Sequence, residues 1–424
     1  MLLDFGRVPG FIVVFFVALP LLAAPVAAQQ RVPLTIAEAG DLAIAGEPGS
    51  AALLAKANAF EEQAVAAAQL PDPVMRIGLA NFPINGGGFS TEGMTQAQLG
   101  FRQAFPRARS SMADQFEDQA DALAFNADAR TRDVLAAVRY AWLETYYAQR
   151  AEALLTEKRP FFADLVTITE SLYSVGSKSQ HDVLRAELEL SRLDDRLLDI
   201  RRVREESRAM LSRWLGQDAY RPLAMKLPTW STLPSLADLH AGLESHPALA
   251  AADAGISARQ AAVRAAEERK KPGWALDVGY GYREGFLPSG EPRSDFVSVS
   301  VTVDLPMFGN NRQDRRLAAA LSERRAAIDS HTEIRARLAS ELDTEYARWQ
   351  DLSRRLELYE TRILGQSQSQ AQAALRAYQS DAGDFADLMR AYIDELNSRL
   401  DHLRLQVDRA QRYAVLANLG GIEL

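Results

Sequence analysis

Two acidic residues, Asp182 and Asp387, hold matched places in two similar stretches, LYSVGSKSQHDVLRA at 172–186 and AYQSDAGDFADLMRA at 377–391. Each precedes an apolar pair, Val183–Leu184 or Leu388–Met389, and each has cations nearby: Lys178 and Arg185 in the first stretch, Arg390 in the second. A carboxylate in such a setting has two uses. It can accept backbone N–H groups at the start of a helix that follows a turn. Gathered into a ring, such carboxylates favour cations and repel anions. The sequence leaves both uses open for each Asp. Residues for bond-making chemistry do not assemble. The histidines His181, His240, His246, His331 and His402 are scattered, and no pair has zinc-ligand spacing on one helix face. His181, beside Asp182, reads as a solvent-facing turn histidine. There is no phosphate-binding glycine loop and no nucleophile elbow. With no cysteine in the chain, disulfides, thiolate metal sites, thiol nucleophiles and an acylated N-terminal cysteine are excluded. No catalytic residue, resident metal or cofactor is expected.

The elements that would position these side chains are written twice. EPGSAALLAKANAFEEQAVAAAQLPDPVMRIGLAN, near position 48, matches HPALAAADAGISARQAAVRAAEERKKPGWALDVGY near 247. Pro48 aligns with Pro247 and Pro73 with Pro272, at an offset of 199. QLGFRQAFP at 98–106 aligns with SVSVTVDLP at an offset of 200, and the acidic stretches align at 205. A repeat of this length, with strands and turns in step, sets the whole architecture. The expected division is an export segment at 1–28, a first repeat at 29–216, a linker at 217–234 and a second repeat at 235–424. The export segment has Arg7 before an apolar run, Phe11 to Ala28, that ends in small residues suited to cleavage before Gln29. No later stretch approaches the ~20 apolar residues of a membrane helix. A net charge of -8 argues against a nucleic-acid partner, and 47% hydrophobic with 25% charged residues argues for a folded chain.

Each repeat predicts one alanine-rich helix (35–69 and 235–270), two short strands and a long helical region, 107–216 or 309–419. The long regions hold a single proline, Pro160, and predict two helices of ~50 residues each, hence ~75 Å long. Met389, Ile393, Leu396, Leu400, Leu403, Val407, Ala410 and Ala414 step by alternating fours and threes, and Val183, Ala186, Leu190, Leu193, Leu197 and Ile200 do so in the first copy. That 3.5-residue period predicts knobs-into-holes packing. Trp142, Trp214, Trp230 and Trp349 read as packing anchors.

The strands alternate. Trp274, Leu276, Val278, Tyr280 and Tyr282 oppose Ala275, Asp277, Gly279, Gly281 and Arg283, and the valines at 297, 299, 301 and 303 oppose Ser298, Ser300 and Thr302. In the first copy Met75, Ile77 and Leu79 oppose Arg76, Gly78 and Ala80, while Ala97, Leu99 and Phe101 oppose Gln98, Gly100 and Arg102. Lengths near ten residues, aromatic residues towards strand ends and Gly/Ser/Pro-rich tips at 85–93 and 284–294 favour a membrane β-barrel over a half-buried soluble sheet. Four strands cannot close a barrel, and open edges in lipid cost several kcal/mol per unsatisfied group. The wall is therefore expected to be shared. A trimer gives twelve strands, continued by a twelve-helix tube.

At this point the chain resembles the TolC-type outer-membrane efflux factors, and the resemblance runs over about 33–420. QLPDPVMRIGLANFPI, followed by GMTQAQLGFRQAFPR, resembles the heavy-metal cation branch more than the drug branch. The resemblance implies a mainly α fold with a small β part: a coiled-coil α-helical barrel and a β-barrel built from four strands of each of three chains. It implies a homotrimer in the outer membrane with its helices in the periplasm, touching outer-membrane lipid and working with a periplasmic adaptor and an inner-membrane resistance-nodulation-division pump. It also implies that the family's tip motif is Tyr173, Gly176 and Asp182 in one copy, and Tyr378 and Asp387 in the other. In the second copy Asp381 stands where Gly is expected, and Gly383 is the expected replacement. This tip would close the channel at rest, with Lys178, Arg185 and Arg390 pairing between helices. Rival readings are a drug-efflux or type I secretion duct, and a periplasmic coiled-coil scaffold without a pore.

Overall fold

The computed structural model describes residues 32–228, 230, 232–380 and 382–422, so the expected export segment lies outside the described residues. The first repeat comprises α1 (Ile36–Ala45), α2 (Pro48–Ala68), β1 (Val74–Ala80), β2 (Gln96–Phe105), α3 (Arg109–Ser174) and α4 (Gln180–Leu215). The second comprises α5 (Leu236–Leu243), α6 (Pro247–Glu268), β3 (Trp274–Tyr282), β4 (Phe296–Val303), α7 (Gln313–Leu358), a π-helical turn (Tyr359–Ile363), α8 (Leu364–Gln379) and α9 (Phe385–Gly420).

Two expectations about the helices need correction. The alanine-rich segments are not single helices. Each breaks just before its proline, and Pro48 and Pro247 take the first turn of α2 and α6, where a missing N–H costs nothing. Glu47 and His246 cap the new ends, accepting from Ser50 N and Ala248 N. Nor are the long regions pairs of equal helices. α3 has 66 residues, about 99 Å at 1.5 Å per residue, and α4 has 36. The excess length of α3 is covered by a second helix. Near the sheet, α2 lies along it, with Arg109 donating to Ala68 O at 3.0 Å and Arg130 bonded to Glu47 at 3.1 Å. Further along, α4 takes over, with Arg159 bonded to Asp194 and Arg201 to Glu152. In the second repeat α6 and α9 share the rod α7–α8 in the same way, through Arg259–Glu323 and Arg412–Glu345.

The changing repeat offset now has a structural cause. The β2–α3 connection has three residues, 106–108, whereas β4–α7 has nine, 304–312, so α3 and α7 start 204 apart. The rod Gln313–Gln379 has one residue more than α3. A π turn absorbs one extra residue in an α-helix, and the ends of the two rods are 205 apart. Pro160 of α3 lies at the matching height, where a missing N–H also interrupts the helical ladder.

The core lies between the rods in three clusters. One surrounds Trp142, which is 1% exposed and donates from Nε1 to Leu34 O at 3.1 Å. It is roofed by the connection after α4, whose Leu223 pairs with Leu34 in an isolated parallel bridge. The second joins Leu239, Leu243, Leu338, Leu342, Leu416 and Leu419. The third, farthest from the sheet, joins Leu155, Phe162, Leu193, Phe385, Met389 and Leu396. The 3.5-residue rows face these clusters: Met389, Leu396, Val407 and Ala414 are buried, as are Ala186, Leu193 and Leu197.

Candidate channel wall and helical tip

The four strands form one antiparallel sheet in the order β1-β2-β3-β4. Register fixes the faces. One row runs Ile77, Leu99, Tyr280, Val297, and the next runs Met75, Phe101, Val278, Val299. These side chains are exposed: Ile77 is 73% open, Val297 74% and Val299 67%. A sheet that leaves its apolar rows uncovered has not been packed against any element of its own chain. The opposite face is polar. Its rows run Arg76, Gly100, Gly279, Ser298, then Arg102, Asp277, Ser300. Arg102 reaches Asp277 at 3.9 Å, and Thr302 donates to the same carboxylate at 3.0 Å. This face lines a hollow of about 630 Å³. Strands β1 and β4 have free outer edges within the chain. At the end away from the helices, Arg283 ties the two hairpin loops together, lying over the Phe296 ring and donating to Ser294 O and Gly93 O. At the helix end, Trp274 stacks on Phe105 at 4.0 Å.

The tip lies at the opposite end of the rods. α3 finishes in a Schellman turn: Ser177 N bonds Leu172 O and Gly176 N bonds Tyr173 O, both at 2.9 Å. Gly176 has φ +73°, a conformation that explains the glycine. Ser179 and Asp182 then form a capping box for α4. The Ser179 N and Oγ donate to Asp182 Oδ2 at 3.1 and 2.8 Å, and Asp182 N donates back to Ser179 Oγ at 3.4 Å. Asp182 is thus engaged as a cap.

The second turn is built differently. Asp384, the cap of α9, makes no side-chain cap bond, and Asp387 instead binds Arg390 one turn on, at 2.9 Å. Asp387 remains 70% exposed. Asp381 lies outside the described residues. Gly383 does not take over the left-handed role of Gly176, since its φ is not in that region; a Cβ there would instead meet Ala377 at 2.9 Å. Its smallness lets the turn fold onto the end of α8.

The two turns touch. Lys178 Nζ sits 5.1 Å from the centre of the Tyr378 ring, and Tyr378 meets buried Phe385 edge-on at 5.8 Å. The cations near the turns are engaged in different ways. Arg390 pairs within α9, Lys178 crosses to an aromatic face, and Arg185 forms no ion pair among the described residues. Tyr173 is 48% exposed. His181 is exposed, and among the described residues no three His, Asp or Glu side chains converge as a metal-binding group.

One clamp was not singled out from the sequence. Arg404 of α9 holds Glu144 of α3 at 2.9 and 2.7 Å, Gln411 joins at 2.6 Å, and the guanidinium lies over Tyr147. Burial alone would raise the Glu144 carboxyl. The hydrogen bonds from Arg404 and Gln411 outweigh burial and hold it below the usual range. The Arg404–Asp408 spacing of four was a visible helix-surface pair, but nothing in the sequence pointed to the cross-helix partner.

Residues 239–421 match the outer membrane efflux protein family. Protein CyaE of Bordetella pertussis is 28% identical over 330 residues, covering 74% of this chain and 67% of that protein. Among solved structures, CusC superposes with a TM-score of 0.77 at 15% identity over 92% of each chain. The Campylobacter jejuni outer membrane channel CmeC superposes at 0.75 with 13% identity, over 91% of this chain and 85% of that one. These structures share the fold of long helical rods and a small sheet along almost the whole length. The chain thus shares the fold of these outer-membrane channels, and its second repeat matches the outer membrane efflux protein family.

Proposed function

We propose that three copies of this chain form the outer-membrane exit duct of a tripartite efflux system. The observation that carries this reading is the sheet: its apolar face is open to the surroundings, its polar face lines a hollow, and its two edges are free. Unsatisfied edges are untenable in lipid, and three such sheets joined edge to edge give a closed twelve-stranded wall with the polar face inside. The rods continue this wall as a periplasmic tube. The tube narrows at the turns bearing Asp182 and Asp387, where an adaptor and an inner-membrane, proton-driven resistance-nodulation-division pump engage it. The duct itself uses no energy and needs no catalytic group.

The cargo proposed is heavy-metal cations. Support comes from the segment 69–107, with its resemblance to the cation branch, and from the acidic residues offered at the tip. The test is growth of a deletion strain, with and without the plasmid-borne gene, on zinc, cobalt, cadmium, copper, silver and lipophilic drugs. Metal sensitivity restored by the plasmid is the expected result. Sensitivity to drugs alone, or loss of a secreted protein, would keep the duct and overturn the cargo. Release of the chain from membranes by carbonate without detergent would overturn the duct and favour a poreless scaffold.

A further inference from the structure

The second repeat departs from the first where the sheet meets the helices. The link after β2 has three residues, and the link after β4 has nine. The added residues are not buried. Leu305 is 68% exposed, Met307 77% and Phe308 86%, and they follow in sequence the apolar row of β4 that ends at Val303, with Met307 and Phe308 in a turn. Exposed large side chains in a short connection are costly in water unless something covers them.

The same corner is basic. Arg312, Arg315 and Arg316 are exposed at and just inside the start of α7, and Lys271 is exposed ahead of β3. None of these four forms an ion pair among the described residues. The acids beside these cations are Asp314, already bonded to Lys270 at 2.6 Å, Asp304, and Glu267 and Glu268 in the turn that precedes Lys271. Trp274, the only tryptophan in the sheet, stands at this level against Phe105. An apolar band, then an aromatic residue, then insertable apolar side chains, then unpaired arginines follow one another from sheet to helix. That order matches the order of acyl chain, interface and phosphate across one membrane leaflet.

We propose that the segment 304–316 is a docking surface for anionic phospholipid in the leaflet that faces the helical rods. Met307 and Phe308 enter the acyl region, while Arg312, Arg315 and Arg316 meet the phosphates, with Lys271 beside them. The inference rests on the channel reading, because it takes the open apolar face of the sheet as lipid-facing. The occupant is a lipid and not free phosphate, because the apolar residues and the arginines belong to one continuous surface. It provides each protomer with a fixed height in the membrane where its first-repeat connection offers no such segment.

The test uses the full-length trimer reconstituted in nanodiscs, with Trp274 fluorescence quenched by brominated phosphatidylglycerol or brominated phosphatidylcholine. A Trp274→Phe variant identifies the signal. The native chain should prefer the phosphatidylglycerol by about tenfold or more at low salt, with the preference falling as salt rises. Combined Arg312→Gln, Arg315→Gln and Arg316→Gln should remove the preference while leaving quenching by phosphatidylcholine. Combined Met307→Ser and Phe308→Ser should weaken quenching by both lipids. Unchanged preference in the arginine variant would overturn the proposal. So would abolition of the preference by millimolar inorganic phosphate, which would indicate an ion site alone. Loss of the trimer in either variant would also overturn it, by making this segment a contact between subunits. A native chain that fails to insert would instead overturn the channel reading, whereas one that inserts without preference overturns only this inference.

Discussion

Replacing Arg404 by methionine removes the clamp between α3 and α9 while keeping an apolar stem of similar length. Arg404 donates two bonds to Glu144 and further bonds to Asp408, and its ring contact with Tyr147 goes as well. Breaking a fully buried pair costs 3–5 kcal/mol because a charge is left uncompensated. Here the Glu144 side chain keeps 15% exposure and a bond from Gln411, and Arg404 itself is 30% exposed, so solvent offsets part of the loss. A destabilisation of about 2 kcal/mol is expected near neutral pH. The sign with pH follows from Glu144. In the native chain its carboxyl lies below the unfolded value, so its contribution is present above that value and is lost as pH falls through the folded one. In Arg404→Met the carboxyl loses the Arg404 bonds, keeps only the one from Gln411 against its burial, and so shifts towards the protonated form. Lowering the pH from 7.5 towards 4 should therefore shrink the difference between variant and native chain. Adding Glu144→Gln should recover most of it at pH 7.5. Guanidinium unfolding of the detergent-held protein, followed by far-UV circular dichroism, reads both effects. A difference that stays constant with pH, or a double variant no better than the single, would refute the argument.

Further outcomes follow from the tip and the rods. Gly176→Ala places a side chain at φ +73° and should cost about 1 kcal/mol, visible as faster amide exchange in residues 170–180. Lys178→Ala should loosen the contact with Tyr378 and raise the closed-state conductance of the channel in planar bilayers; unchanged conductance would remove this contact from the gate. Asp182→Ala with Asp387→Ala should widen the closed tip and weaken cation preference, whereas Asp182→Ala alone should mainly weaken the start of α4, by about 1 kcal/mol, through loss of the capping box. Deleting Thr361 should convert the π turn to regular α-helix and still give assembled protein, while deleting one residue near Leu342, in a regular and buried part of α7, should abolish assembly.

Much of the fold was legible in the sequence because it depends on local periodicity. Alternation placed all four strands and assigned their faces, and the 3.5-residue rows named the buried sides of α4 and α9. Helix lengths were not legible, for a physical reason. The apolar stripe that tells a helix which side to bury does not tell it with which partner, and α3 is covered by α2 at one end and α4 at the other. A pattern read one helix at a time cannot distinguish two equal helices from one rod flanked by two shorter ones. The tip was legible as two turns and not as two mechanisms. Equivalent aspartates at 182 and 387 have the same neighbours in the alignment, yet Ser179 draws the first into a cap, while Asp384 replaces that serine and leaves the second to Arg390. One hydroxyl accounts for the difference. With a carboxylate already at the cap position, a second carboxylate three residues on finds no hydroxyl donor there and turns to the nearest cation. The two copies therefore use equivalent carboxylates differently, one to cap its helix through a neutral serine and one to pair with a cation on its own helix.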